Sequence, residues 1–199
     1  MVYRKWQDFI KTTINYLSHG YTFYCLTMYP EHKQNRWEKI DEKLKSKYPI
    51  YTKDVKYKRK KKGLVNFAFT RWHNYSLIFH TAGEWDVSQD DRFVHIDTNP
   101  IYIKTGEILI LKIGKNRAGR SYTVFLEKTC YRDIKYQLIE AIEYRHLNKV
   151  ALIWQRLNNI PGYSGIIEQR KIMRNNLAET AKKHNMKIPT LKINNKKVY

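Results

Sequence analysis

Cysteine, glycine and proline are all scarce in this sequence of 199 residues, which contains 2 Cys, 8 Gly and 5 Pro. Cys25 and Cys130 each lie within an apolar stretch, and neither belongs to a CxxC pair. This argues against a disulfide framework and against a thiolate zinc site. The shortage of glycine and proline argues against a collagen-like chain or a chain made mainly of linkers.

Long apolar runs are also missing. The longest have the length of a strand, as at residues 108–111, and no apolar segment of a signal peptide follows the charges at the start of the chain. No predicted helix combines a wide apolar face with a lysine-rich face, which disfavours binding to a membrane surface. We therefore expect a soluble, cytoplasmic protein without a membrane partner.

Acidic residues are few relative to basic ones. The chain has 18 Asp+Glu against 38 Lys+Arg, which gives a formal net charge of +20. Hydrophobic residues make up 42% of the chain, and aromatic residues 14%, which is enough to build a packed core. A basic surplus on a folded protein predicts a polyanionic partner.

The spacing of the apolar residues predicts an α+β fold, with a mixed or antiparallel sheet packed by helices. Large apolar residues recur every three or four positions in residues 3–18 and again in residues 34–47, which predicts two amphipathic helices. Between them, residues 21–29 form an aromatic, β-favouring run that predicts a central strand. Further strands are predicted at residues 64–70, 75–80, 93–104, 107–113 and 122–126.

The last third of the chain is predicted to be a helical C-terminal segment. Thr129 is the predicted N-cap of a helix that continues through Tyr144, and two more helices are predicted on either side of the connection at residues 158–164. We therefore expect three parts. They are an α+β core domain at residues 1–128, a helical segment at residues 129–186 and a basic tail at residues 187–199.

Basic residues concentrate in a run at residues 56–62, in the loop at residues 112–120 and on the C-terminal helix. The run carries no helix or strand prediction, and six of its seven residues are basic. Each cation that neutralises a phosphate releases condensed counterions, so these clusters favour nucleic-acid binding over a merely solvated surface. The predicted nucleic-acid-binding residues are Lys56, Tyr57, Lys58, Arg59, Lys60, Lys61, Lys62, Arg71, Trp72, Lys112, Lys115, Arg117, Arg120, Arg170 and Arg174.

Two features refine this prediction. Tyr57 and Trp72 lie where their rings could stack on unpaired bases. On the C-terminal helix, Gln169, Arg170, Arg174 and Asn175 are residue types that read base edges in a major groove. The alternative for this helix is a packing layer with a polar outer face, and its connection is longer than the turn usual in a helix-turn-helix.

The segment from Arg71 to Asp97 holds the polar side chains that could carry chemistry. Carboxylates and imidazoles that converge on one phosphate are what metal-dependent nucleases require. The spacing here matches no metal motif, so no metal ligand is assigned, and a structural role for each histidine is the alternative. The candidates are His73, His80, Glu84, Asp86, Asp90, Asp91, His95 and Asp97.

Two short matches carry a resemblance to a known family. Residues 23–27 form a predicted strand that contains Leu26-Thr27, an amphipathic helix follows, and a later strand ends in Ile78-Phe79-His80. This order resembles the nuclease domain of rolling-circle replication initiators and relaxases. In that family two histidines flank an apolar residue and bind a divalent metal, while a helical tyrosine attacks the DNA phosphate.

The resemblance implies catalytic roles for His80 and for Tyr144, with Tyr131 and Tyr136 on or near the same predicted helix. Ile78 stands where the family has its first histidine. The chain therefore resembles a degenerate relative that does not cut DNA.

The expected function is a DNA-binding regulator or accessory factor that needs no cofactor. The amino-acid composition is rich in lysine, asparagine, isoleucine and tyrosine, which is typical of AT-rich genomes and favours a phage, a plasmid or another mobile element. One alternative is a metal-dependent nuclease or nickase of the replication-initiator type, which would use Mg²⁺ or Mn²⁺. The other alternative is an RNA-binding protein.

Overall fold

The structure, a computed structural model, describes residues 1–85 and 91–194. The last five residues of the predicted basic tail therefore lie outside the described residues. The contacts within the chain divide it into two compact units, Met1–Ile101 and Tyr102–Tyr199. None of the helices in the described ranges 1–85 and 91–194 has the length and apolar character of a membrane span.

The first unit combines helices with one mixed sheet. Its elements are β1 (Val2–Tyr3), α1 (Trp6–Ser18), β2 (Phe23–Met28), α2 (Trp37–Lys47), α3 (Lys53–Lys61), β3 (Phe67–Trp72), β4 (Tyr75–His80) and β5 (Val94–His95). A short 3₁₀-helix, Glu31–Arg36, leads into α2. The apolar face predicted for α1 is buried through Phe9, Ile10 and Leu17.

The strands of this sheet lie in the order β1-β3-β4-β2-β5. β1 is parallel to β3, and the other pairs are antiparallel. β2 is an interior strand, as predicted, but it pairs with β5 only through Phe23 and Tyr24, so Thr27 and Met28 at its far end are exposed. The strands that are almost wholly buried are those of the β3–β4 hairpin.

A hydrophobic cluster holds the segment that contains α3 in place. It consists of Tyr48, Val65, Phe67, Phe69 and Ile78, all buried. Tyr48 ends α2, and Val65 follows α3, so both ends of the connecting segment enter the core. Each such side chain contributes about 1.5–3 kcal/mol on burial. α3 is therefore anchored at its ends and lies on the outside of the unit.

The second unit contains a smaller antiparallel sheet and a helical C-terminal segment. Its elements are β6 (Ile101–Lys104), β7 (Ile110–Lys115), β8 (Tyr122–Leu126), α4 (Lys128–Glu143), α5 (Leu147–Asn158) and α6 (Ser164–Lys183). The strand order is β6-β7-β8, with β7 and β8 forming a hairpin. The predicted α+β class with a helical C-terminal segment is confirmed.

α6 packs closely against β8. A Cβ atom on Gly165 would lie 2.5 Å from the Val124 carbonyl oxygen and 2.6 Å from the Phe125 ring, so this position requires glycine. The side-chain amide of Gln169 accepts a hydrogen bond from the Leu126 N–H at 2.8 Å and donates one to the Leu126 carbonyl at 3.1 Å. The small sheet and the C-terminal helices thus share one unit. The division of the chain falls after Ile101, whereas the sequence places a boundary after residue 128.

Two predicted segments take a different form in the structure. The strand predicted at residues 93–104 is two short strands, β5 and β6, because the N–H groups of Thr98 and Asn99 turn back to the carbonyl of His95. The basic run at residues 56–62 falls mostly within a helix, α3. The predicted strands at residues 75–80 and 122–126 coincide with β4 and β8.

Candidate nucleic-acid interface

α3 presents the first basic cluster. Six of its nine residues are lysine or arginine, and both are good helix formers. Asp54 in the first turn and four basic residues in the last turn complement the helix dipole. Gly63 then leaves the helix with a φ of +72°, a conformation that favours glycine. Asp54 near the start of the helix and Gly63 just after its end are the signals in the sequence that would have predicted it.

Two basic residues of the run are fixed to the body of the unit. The Nε and Nη2 atoms of Arg59 donate to the Val65 carbonyl at 3.2 and 2.9 Å, and its guanidinium lies 4.5 Å from the centre of the Tyr51 ring. The Lys56 ammonium lies 5.5 Å from the centre of the Tyr21 ring, and burial lowers its pKa. These contacts orient α3, and they make the two residues anchors of the helix.

The other cations of the run are exposed. Lys58, Lys60, Lys61 and Lys62 make no ion pair with any residue that the structure describes. Tyr57 is 59% exposed, and the Lys61 ammonium lies 4.7 Å from the centre of its ring. The run therefore offers four uncompensated positive charges and one accessible aromatic ring on a fixed helix.

The β7–β8 hairpin carries the second predicted cluster. The Asn116 side chain accepts hydrogen bonds from the N–H groups of Arg120 and Ser121, and the Asn116 N–H donates to the Ser121 carbonyl at 2.7 Å. The loop is thus a closed turn rather than an irregular segment. Lys112 is half-buried in β7, whereas Lys115, Arg117 and Arg120 are exposed at the turn.

α6 divides its polar residues between two faces, and Arg170 belongs to the buried one. This side chain is 1% exposed, and its Nη2 atom donates to the carbonyls of Leu157 and Ile160, at the end of α5. Its Nη1 atom donates to the Asn194 carbonyl at 3.2 Å, and burial lowers its pKa to about 10. A cation that binds the last carbonyls of a helix stabilises that end. We therefore leave Arg170 out of the interface.

The exposed face of α6 keeps the remaining base-reading candidates. Lys171, Arg174, Asn175 and Lys182 recur at three-, four- and seven-residue spacing and are exposed. Gln169 does not share this role because its amide is hydrogen-bonded to β8. Glu168, at the start of the exposed face, forms an ion pair with Arg117 at 3.0 Å. This contact joins the hairpin turn to α6, and the exposed cations of the two elements are together called the basic surface of the second unit.

Arg71 and Trp72, the remaining predicted contacts, lie at the end of β3. Arg71 is 7% exposed, and its Nε atom donates to both carboxylate oxygens of Asp41 at 2.9 and 3.0 Å. We leave Arg71 out of the interface as well, because its charge is already paired. Trp72 is half-exposed and lines a cleft beside the β3–β4 turn.

His80 lies inside a group of aromatic rings. It is 5% exposed, its ring stacks on Phe23 with centroids 4.7 Å apart, and Trp85 and Phe93 meet it edge-on at 4.7 and 4.8 Å. Burial lowers the pKa of this imidazole, opposed by the hydrogen bond between Nδ1 and the Thr81 carbonyl. The structure thus favours a neutral histidine that packs in the core.

The second predicted catalytic residue, Tyr144, lies in the other unit. It follows α4, is 69% exposed and stacks loosely on His146, with ring centroids 6.3 Å apart. Within the described ranges, no group of three or more His, Cys, Asp or Glu side chains could hold a metal ion. Asp86 and Asp90 lie outside those ranges.

The other polar candidates of the first unit have structural contacts. Asp91 accepts a hydrogen bond from Lys47 at 2.8 Å, and His95 lies 3.9 Å from the Asp97 carboxylate. The His73 ring meets Trp37 edge-on at 5.4 Å. None of these contacts brings a nucleophile and a base together.

Comparison with protein-family models, with curated proteins and with solved structures finds no match. The resemblance to rolling-circle initiators therefore stays a prediction, based on Leu26-Thr27 in β2 and Ile78-Phe79-His80 in β4. Within the sheet these segments are neighbours, because Leu26 pairs with Leu77 and Phe23 pairs with His80.

Proposed function

We propose that this protein binds nucleic acid, with duplex DNA as the favoured partner, and acts as a DNA-binding regulator or accessory factor of a mobile element. The observation that carries the proposal is the set of four uncompensated lysines on and just after α3. Like charges crowded on one helix repel each other, and a polyanion relieves this repulsion. Phosphate contacts of this kind give affinity that is independent of sequence.

The basic surface of the second unit supports duplex DNA as the partner. A helix of 20 residues is about 30 Å long, and a B-form major groove is wide enough to admit such a helix. Arg174 and Asn175 are exposed on α6, and both residue types form paired hydrogen bonds with purine edges. The neighbouring hairpin turn supplies cations for phosphates on the flank of the same surface.

The test is a salt titration of binding to a short labelled duplex, measured by fluorescence anisotropy. One variant combines Lys58→Gln, Lys60→Gln, Lys61→Gln and Lys62→Gln. The control combines Lys5→Gln, Lys11→Gln, Lys39→Gln and Lys43→Gln, four lysines that are also exposed. Both variants lower the net charge by four, from +20 to +16.

The α3 variant should bind the duplex at least about tenfold more weakly, with a salt slope reduced by about 0.9 for each phosphate contact that is lost. The control variant should keep most of the slope. Equal slopes for the two variants would show that total charge matters and that α3 is not a contact surface. If unlabelled RNA displaces the labelled duplex more effectively than unlabelled duplex DNA does, RNA replaces DNA as the proposed partner.

The same samples test the nickase alternative. Incubation with a supercoiled plasmid and Mg²⁺ or Mn²⁺ should leave the plasmid intact if the protein only binds. A nicked product that is lost in His80→Phe and in Tyr144→Phe would replace the binding proposal with a nuclease of the initiator type.

A further inference from the structure

A cleft in the first unit lies beside the turn that joins β3 to β4. Its volume is about 560 Å³, within the range of about 300–1,000 Å³ that is usual for small-molecule sites. Aromatic and polar side chains line it together, a composition that fits a ligand with a flat ring and a polar edge. The lining side chains that matter most are Arg4, Gln34, Asn35, Glu38, Trp72 and His73.

The floor of the cleft is held by a buried ion pair. The Nε atom of Arg71 donates to Asp41, and its Nη1 atom donates to the His73 carbonyl at 3.1 Å. Asp41 also accepts a hydrogen bond from the Tyr29 hydroxyl at 2.9 Å. The Arg71 guanidinium lies 5.5 Å from the centre of the Trp37 ring. These contacts tie the turn to α2 and fix the shape of the cleft before any ligand binds.

His73 occupies the turn in a strained conformation. Its φ is +49°, in the left-handed region, which costs a non-glycine residue on the order of 1 kcal/mol. The hydrogen bond from Arg71 and the edge-on contact with Trp37 hold it there. Strain of this kind persists where the surrounding structure enforces it, which is frequent at ligand sites. In this conformation the His73 imidazole lies at the edge of the cleft.

Trp72 supplies the stacking surface. Tyr75 lies nearly parallel to it, with an interplanar angle of 11° and centroids 5.9 Å apart, and the Phe9 ring lies 6.3 Å away. The indole is therefore supported by other rings and remains half-exposed in the cleft. Stacking of a base on such a ring contributes about 1–3 kcal/mol.

The rim of the cleft has unused hydrogen-bonding capacity. The exposed side chains of Arg4, Gln34, Asn35 and Glu38 make no hydrogen bond or ion pair to any other described residue. Amide and carboxylate groups match the donors and acceptors of a base edge, and a guanidinium matches a phosphate.

We propose that this cleft binds one nucleobase together with its phosphate. Trp72 stacks on the base, Gln34, Asn35 and Glu38 bind its edge, and Arg4 binds the phosphate. The nucleotide comes either from solution or from an unpaired position in a strand, and only the second source depends on the proposed function. α3 and the cleft lie at opposite ends of β3, about 20 Å apart, so each can be altered separately.

The first experiment titrates the full chain with AMP, GMP, CMP and UMP by isothermal titration calorimetry, with ribose 5-phosphate and inorganic phosphate as probes that lack a base. At least one mononucleotide should bind saturably and more tightly than ribose 5-phosphate. Asn35→Ala and Arg4→Ala should each weaken it at least about fivefold, and Trp72→Leu at least about tenfold. His32→Ala, on the same 3₁₀-helix but outside the cleft, is the matched control and should bind normally.

The second experiment identifies the source. It compares a duplex that has one unpaired base with a fully paired duplex, in the wild type and in the fourfold α3 variant. A preference for the unpaired base that Asn35→Ala removes identifies the strand as the source, and mononucleotide binding without this preference identifies free nucleotide.

The outcomes for the cleft and for the proposed function can be told apart. Mononucleotide binding without any duplex binding would refute nucleic-acid binding and leave the cleft proposal standing. Duplex binding with no saturable mononucleotide binding and no preference for the unpaired base would overturn the cleft proposal. The cleft proposal would also be overturned if the cleft variants unfold at the wild-type temperature and bind the mononucleotide as tightly as the wild type.

Discussion

α3 and α6 are both basic helices, but the structure uses their cations differently. On α3 the exposed lysines make no ion pair among the described residues, so their charge faces water. On α6 one arginine, Arg170, is buried and hydrogen-bonded to backbone carbonyls, while Lys171 and Arg174 are exposed. A count of basic residues therefore does not separate cations that are exposed to solvent from cations that hold the fold.

The difference follows from the pattern of apolar residues around each cation. The buried stripe of α6 consists of Ile166, Met173, Leu177 and Ala181. Arg170 lies within this stripe, between Ile166 and Met173. α3 has no buried residue, and four of its lysines, Lys53, Lys58, Lys60 and Lys61, are exposed. An arginine inside an apolar stripe must find partners within the fold, because an unpaired buried charge is costly.

The largest expected effect is on stability, from Arg170→Met. The apolar side chain fits the buried stripe but removes the donor of the Ile160 carbonyl and leaves the Leu157 carbonyl with only the Ile160 N–H at 3.3 Å. An unsatisfied buried group costs about 1–3 kcal/mol, and a hydrogen bond to a charged donor contributes about as much. We expect the free energy of unfolding to fall by about 3 kcal/mol in urea denaturation. Arg174→Met, one turn further and exposed, should change it by less than about 0.5 kcal/mol. Equal losses in both variants would contradict the division of α6 into two faces.

The second prediction concerns the exposed face of α6. Lys171→Gln combined with Arg174→Gln should weaken duplex binding about tenfold and lower the salt slope by about 2, with the unfolding free energy unchanged. Lys128→Gln combined with Arg132→Gln removes two exposed cations from α4 and is the charge-matched control. If the control weakens binding equally, α6 has no special part in the interface.

The third prediction extends the comparison to a buried group that is neutral. Burial holds the pKa of His80 below its usual value of about 6.5, so the unfolded chain takes up a proton at higher pH than the folded chain. The stabilising contribution is complete above about pH 6.5 and is lost as the pH falls through the folded-state pKa. Urea denaturation at several pH values should show this loss, and His80→Phe should reduce it. An unchanged pH profile in the variant would assign the acid sensitivity to other groups.

The smallest expected effect comes from the ion pair between Arg117 and Glu168. Its two side chains are 73% and 40% exposed, and pairs of this kind contribute little. Arg117→Ala should therefore change the unfolding free energy by less than about 0.5 kcal/mol, as should Arg120→Ala at the same turn. A larger loss for Arg117→Ala alone would mean that the ion pair, and not only packing, holds the hairpin against α6.

The fold class and several elements could be predicted from local pattern. The β-favouring run at residues 75–80 is β4, and the apolar spacing of residues 3–18 corresponds to α1, because these patterns depend only on neighbouring residues. The helix at α3 was missed, since apolar spacing gives no signal in a run of lysines. The packing of Gly165 and Gln169 against β8 could not be predicted either, because it joins residues about 40 positions apart in the chain.

The residues of the candidate interface could likewise be predicted only in part. The basic surplus and the exposed lysines of α3 could be predicted, because lysine is rarely buried in any fold. The net charge of +20, the α+β class and the expectation of a polyanionic partner therefore follow from the sequence alone. Three further features are visible only in the folded chain: Arg71 pairs with Asp41, Arg170 binds the end of α5, and Trp72 lines a cleft. The physical reason is that burial of a side chain depends on distant segments, such as Asp41, which lies 30 residues before Arg71.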